Sequence, residues 1–142
     1  MEDVPTPSTK MKSLDRLVGK WKVTGGAEGI VEYRWMDGGF FLLQDVELTQ
    51  FGQKMTGLEV IGHLHPFGEE PSKAIKSRYY DSMGNTLDYE YEIEGDELTI
   101  WGGEKGSPAF FKGTFSKDGN KNVGKWTYPD GGGYDSTMER IR

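Results

Sequence analysis

Three sets of side chains in this 142-residue sequence have types and spacing that bear on chemistry: its acids, one histidine pair and a large complement of rings. Acid–base catalysis needs a carboxyl group with a displaced pKa in a covered site. Strict alternation puts most acids on a solvent face, as in Leu87-Asp88-Tyr89-Glu90-Tyr91-Glu92-Ile93-Glu94. For Glu32, Asp45, Glu47, Glu59 and Asp81 the facing stays open. They are either interior groups that bind or activate a ligand, or members of outer-face ion pairs. His63 and His65, two apart on a strand, share a face and could ligate a metal with a third ligand such as Glu59 or Glu69. The competing reading has both at a strand end before Pro66, wet or locally hydrogen-bonded, and no metal is expected. Nucleophilic catalysis lacks support, because there is no cysteine and no Gly-x-Ser-x-Gly elbow or triad spacing. Gly102-Gly103-Glu104-Lys105-Gly106 lacks the Gly-Lys-Ser/Thr ending and following helix of a phosphate loop and reads as a hairpin loop. No catalytic residue is assigned.

The rings are the strongest functional signal. Trp35, Phe41, Tyr79, Tyr89, Tyr91, Trp101, Phe111, Trp126 and Tyr128 are spread along the chain on or near separate apolar–polar runs. Rings from many strands pointing to one interior would wall an apolar pocket with a few hydroxyl and indole N–H handles. Each ring taken singly could equally fill a core.

The elements that must position these groups are strands. Turn-rich clusters recur at Asp37-Gly38-Gly39, Met83-Gly84-Asn85, Glu94-Gly95-Asp96, Lys117-Asp118-Gly119-Asn120 and Asp130-Gly131-Gly132-Gly133. Between them the spacing predicts ten antiparallel strands at about 20–25, 29–36, 39–48, 54–64, 74–81, 86–93, 97–102, 108–116, 122–128 and 134–141. One short helix precedes them, with Met11, Leu14, Leu17 and Val18 at helical spacing, Ser8 or Thr9 as cap and Gly19 at its end. A single helix cannot cover ten strands, so the sheet must cover itself. Short hairpin connections favour an all-β, up-and-down antiparallel barrel of eight to ten strands over a Greek-key sandwich. Residues 1–10, with Pro5, Pro7 and small polar side chains, read as a disordered tail, and 11–142 as one barrel domain.

Composition narrows the partners. The longest apolar run is four residues, Phe40 to Leu43, so neither a membrane span nor a secretory signal is expected. Lys and Arg number 17 against 23 Asp and Glu, a net charge of −6 without a basic cluster. Nucleic acid and anionic membrane are therefore not expected partners.

Leu14-Asp15-Arg16-Leu17-Val18-Gly19-Lys20-Trp21, a short helix running into Gly-Lys-Trp on the first strand, resembles the entry motif of the calycins, the superfamily of lipocalins and fatty-acid-binding proteins. Met36-Asp37-Gly38-Gly39-Phe40-Phe41, Gly57-Leu58-Glu59-Val60-Ile61-Gly62, Arg78-Tyr79-Tyr80-Asp81-Ser82-Met83-Gly84, Gly113-Thr114-Phe115 and the Met138-Glu139-Arg140 terminus resemble a bacterial calycin-like family, domain of unknown function 1579. The resemblance implies a barrel whose Gly-x-Trp tryptophan lies at the closed end, under a basic residue of the last strand, here Arg140 or Arg142. The sequence departs from the better-known branches. It has no His after His65, where the haem-binding nitrobindins carry their iron ligand, so no haem is expected. Arg140-Ile141-Arg142 lacks the Tyr of the Arg-x-Tyr carboxylate anchor of the fatty-acid-binding proteins.

The expected function is a cytoplasmic bacterial protein that binds a small apolar or aromatic molecule in the barrel interior, without cofactor. Its expected site comprises Arg34, Trp35, Phe41, Tyr79, Tyr89, Tyr91, Trp101, Phe111, Trp126 and Arg140, with Arg34, Tyr79 or Arg140 as polar end-point. Two alternatives stand beside it. One is a cofactor-free cyclase-, isomerase- or hydratase-type enzyme using a buried carboxylate or Tyr. The other is a structural module with a filled barrel, associating as a homodimer.

Overall fold

The computed structural model describes residues 5–141; residues 1–4 and Arg142 lie outside them. A helix α1 (Thr9–Ser13) leads through a 3-10 turn (Leu14–Leu17) into ten strands. These are β1 (Gly19–Gly25), β2 (Glu28–Trp35), β3 (Leu42–Gln50), β4 (Gln53–Gly62), β5 (Ile75–Asp81), β6 (Thr86–Glu94), β7 (Glu97–Gly102), β8 (Phe110–Phe115), β9 (Lys121–Thr127) and β10 (Tyr134–Arg140). Each strand pairs antiparallel with its neighbours in sequence, and β10 returns to pair with β1, so the barrel is closed and up-and-down. The helix starts at Thr9, within the 1–10 stretch expected as a tail, because Ser8 Oγ accepts from the Met11 amide at 3.1 Å and caps it.

Alternation decides what faces in. On β6, Leu87, Tyr89, Tyr91 and Ile93 take the interior face, and the intervening acids take the outer face, where Asp88 holds Arg78 at 2.7 Å. The outer face also carries Arg34 with Asp45 at 3.0 Å and Lys54 with Glu47 at 2.9 Å. Glu32 is exposed, and Asp81 accepts from the amides of Met83 and Asn85 in the turn after β5. Of the five acids whose facing is open in the sequence, only Glu59 points into the barrel.

The two ends of the barrel differ. β1 starts, and β10 finishes, at the end covered by the helical segment. There Met11, Leu14 and Leu17, at most 1% exposed, pack with Trp21, Leu42, Ile61, Ile75 and Phe115 into a solid plug. Each such buried side chain contributes about 1.5–3 kcal/mol, which holds a helical segment too short to persist alone. Trp21 is fully buried and donates its indole N–H to the Leu17 carbonyl at 2.8 Å. Register pairs Trp21 with Arg140, whose guanidinium lies 4.2 Å above the indole ring and donates to the carbonyls of Arg16, Val18 and Gly119 and to Asn120 Oδ1. The resemblance-based expectation of a basic residue over the closing tryptophan is met by Arg140. Among the described residues no helix is long and apolar enough to cross a membrane.

Arg140→Met keeps much of the packing over Trp21 but leaves those carbonyls without their charged donor. Urea unfolding is expected to show a loss of about 2–4 kcal/mol. A loss below about 0.5 kcal/mol would mean that the closed end does not depend on this residue.

Candidate functional site

The other half of the barrel is hollow. A cavity of about 260 Å³ runs from the level of Tyr33, Glu59 and Tyr91 to the hairpin end, where Ala27, Gln50, Leu87, Tyr128 and Tyr134 stand at its rim. Its wall has two chemically distinct sides. On β6–β10 it is built of rings and aliphatic groups, with Ser136 of β10 among them. Trp126 lies 5.5 Å from Phe111, 6.0 Å from Tyr89 and 6.1 Å from Tyr128, ring centre to ring centre, and Tyr128 continues the row to Tyr134 at 6.3 Å. The Trp126 and Tyr128 planes are nearly parallel, and the other pairs are tilted, the arrangements that ring quadrupoles favour.

On β2–β6 a polar band crosses five neighbouring strands at one level. Gln44 Nε2 donates to Tyr33 Oη at 2.8 Å across the β2–β3 ladder, and Gln44 stands opposite Glu59 in the β3–β4 register. Glu59 receives the Ser77 hydroxyl from β5 at 2.6 Å on Oε2, and the Tyr91 hydroxyl from β6 at 2.8 Å from both carboxyl oxygens. Tyr79, opposite Glu59 on β5, completes the band; its ring lies over Gly57, where an added Cβ would collide with it, so only glycine leaves that place free. Tyr79 is 7% exposed, and its hydroxyl is buried without a hydrogen-bond partner.

The electrostatics follow from burial. Glu59 is 3% exposed, and desolvation pushes its carboxyl up to about 7, with the Ser77 and Tyr91 hydrogen bonds pulling back part of the rise. Burial, reinforced by the Glu59 charge, also raises the phenols of Tyr33, Tyr89 and Tyr91, so they remain protonated at neutral pH. Among the described residues no Lys, Arg or His lines the cavity. Chemically, the site offers an apolar ring-walled volume, hydroxyl and amide hydrogen bonds, and one carboxyl group balanced between its two protonation states near neutrality.

Of the ten residues expected from the sequence to form the site, the structure brings Tyr79, Tyr89, Tyr91, Phe111 and Trp126 together on the cavity wall. The other five stand elsewhere. Arg34 faces out and pairs with Asp45. Trp35 lies toward the helix end, its indole donating to Asp15 Oδ1 at 2.9 Å. Phe41 precedes β3 and lies against Gly62. Trp101 follows the inward Ile100 and turns to the outer face, with the Lys105 ammonium 5.6 Å from its ring. Arg140 seals the closed end. Of the three expected polar end-points, Tyr79 lines the cavity beside the other residues of the Glu59 band, and Arg34 and Arg140 do not line it. Sequence reasoning did not place Tyr33, Gln44 and Ser77 in the site. For Gln44 and Ser77 the available signal was a polar residue alternating with apolar ones on the face that is otherwise inward.

The histidine pair does not converge on a ligand. His63 Nδ1 donates to the Ala74 carbonyl at 3.1 Å, which leaves Nε2 to accept from Ser8 Oγ at 2.8 Å, and His65 is exposed. Among the described residues no group of three or more His, Cys, Asp or Glu is placed to hold a metal ion.

No family model matches the sequence, and no curated protein is similar to it. The likeness to calycins thus extends to a closed antiparallel barrel with a short helix, a fold compatible with ligand binding, and not to a family assignment.

The Glu59 shift has a stability signature. A carboxyl whose folded pKa lies above its unfolded value keeps its proton longer in the folded state, so stability falls as pH rises from about 4.5 to about 7 and is level beyond. The fall amounts to roughly 3 kcal/mol for a shift of this size. In Glu59→Gln, whose amide oxygen still accepts from Ser77 and Tyr91, denaturation curves between pH 4.5 and 8 are expected to lose this fall. Unchanged pH dependence in the variant would place the titration elsewhere.

Proposed function

We propose that this protein binds a small, predominantly apolar or aromatic molecule in the hollow half of its barrel, with the ring wall covering the ligand body and the Glu59 band taking its polar end. The observation that carries the reading is the ring-walled cavity of about 260 Å³ in a barrel whose other half is packed solid. A dry cavity of about 150 Å³ already admits a molecule the size of benzene, so this volume suits one or two rings. Burying such a ligand gains about 25 cal/mol per Å² of apolar surface removed from water. The rim residues Gln50, Leu87, Tyr128 and Tyr134 belong to strand ends and hairpins, which provides an entrance away from the helical plug. A filled structural barrel is disfavoured by the same volume.

A second reading is favoured by Glu59. A buried carboxyl near neutral pKa, hydrogen-bonded to a phenol and facing a cavity, has the properties of a general acid–base. In that reading a bound compound exchanges a proton with Glu59 during turnover. Chemical conversion of a bound compound, abolished by Glu59→Gln, would shift the assignment to this class.

Thermal unfolding against a library of one- and two-ring compounds tests the binding reading. A ligand present at 100 times its Kd stabilises by about 2.7 kcal/mol, a rise of several degrees in Tm. Val46→Phe, on the inner wall, fills part of the cavity and is expected to erase the rise while the protein still folds. A library that leaves Tm unmoved would sink the proposal.

A further inference from the structure

We infer that the cavity selects a protonated amine carried on a ring or short apolar body, with its ammonium group on Glu59 and its body against the ring wall. The inference rests on the ligand-binding reading above and specifies its substrate class. Two observations and the chemistry of an amine converge on it. Among the described residues, Glu59 is the only one of the Asp, Glu, Lys, Arg and His types on the cavity wall, so they place a potential anion there and no counter-ion. A carboxylate has about four acceptor positions, and the Ser77 and Tyr91 hydroxyls each supply a single hydrogen, so capacity for further donors remains. An ammonium group brings three donors and the missing positive charge together, where an alcohol brings one donor and an anion brings only repulsion.

The surroundings fit the same charge. Tyr89, Phe111, Trp126 and Tyr128 line the cavity, and aromatic rings attract cations over their faces. Tyr79, opposite Glu59 in the β4–β5 register, adds a buried hydroxyl over Gly57 that has no hydrogen-bond partner among the described residues and can accept. The net charge of −6 favours approach of a cation over an anion. The groups facing Glu59 from each adjoining strand are Tyr33 on β2, Gln44 on β3, Ser77 and Tyr79 on β5, and Tyr89 and Tyr91 on β6. All are uncharged at neutral pH, so the carboxyl alone sets the pH response. Below about 7 the amine must displace a proton from Glu59, and its affinity drops by about tenfold per pH unit.

A shape-matched trio tests the inference: 3-phenylpropylamine, 3-phenylpropanol and 3-phenylpropionate, titrated by calorimetry into the full chain at pH 6 and pH 7.5. The amine is expected to bind at least ten times more tightly than the alcohol at pH 7.5, the propionate most weakly of the three. At pH 6 the amine weakens, and calorimetry in buffers of different ionisation enthalpy shows release of most of one proton. Glu59→Gln is expected to erase the amine's advantage, and Glu47→Gln, which alters an acid on the outer face, to keep it. The inference is overturned if the alcohol matches the amine in the wild-type protein, or if the preference survives in Glu59→Gln. It is overturned equally if the amine does not bind. In each of these cases the broader reading stands so long as any library compound raises Tm and Val46→Phe abolishes the rise. Silence from the trio and the library together overturns both.

Discussion

The ladder between β1 and β10 is the constraint from which the remaining architecture follows. Without it the sheet would have two open edges and no inside, and the inward alternation of ten strands would expose its apolar face to water. With it, Trp21 stands opposite Arg140, which brings the last strand's guanidinium over the first strand's indole and within reach of the carbonyls that end the helical segment. One residue thus ties together the closing ladder, the tryptophan plug and the helix. The outer-face pairs Arg34–Asp45 and Arg78–Asp88 are half-exposed and add little by comparison.

Closure alone would give a uniform tube; the helical plug makes it asymmetric. Met11, Leu14 and Leu17 occupy the interior at one end, and among the described residues no comparable segment lies at the other. The hollow half is therefore a consequence of where the one helix sits. It is also where glycine replaces side chains. Gly57 gives room to the Tyr79 ring, and Gly124 gives room to Phe111, at places where a Cβ would collide with them. Small residues on one strand thus make place for rings from the next.

Burying Glu59 opposes stability, and the fold tolerates it through two short hydroxyl hydrogen bonds and a carboxyl that stays partly protonated near neutral pH. A leucine there would remove the buried carboxyl but leave the buried Ser77 and Tyr91 hydroxyls without their acceptor. The polar band crosses β2 to β6 at a single level and stops where the ring wall begins. Its position midway between plug and mouth gives the cavity a chemical floor, on which a polar end can rest while an apolar body fills the space above it.

Much of this was legible in the residues themselves. Alternation on Leu87-Asp88-Tyr89-Glu90-Tyr91 and the glycine-rich turns determine strands, their number and short hairpins, because period-two patterning is a local property of the chain. Helical spacing of Met11, Leu14 and Leu17 determines the plug in the same way. The facing of β4 was not legible, because Leu58 and Val60, two apolar side chains, take its outer face, with Leu58 36% exposed beside Tyr80, and leave Glu59 inside. Trp101 and Arg34 were likewise placed by the register of their strands against both neighbours, which a single strand's pattern does not encode. The sequence by itself thus determined a closed barrel rich in inward rings. Only the tertiary structure decided which rings share a cavity, and that a lone acid shares it with them. Side-chain parity on an ambiguous strand is set by pairing with strands distant in sequence, and empty space exists only after every element has been packed.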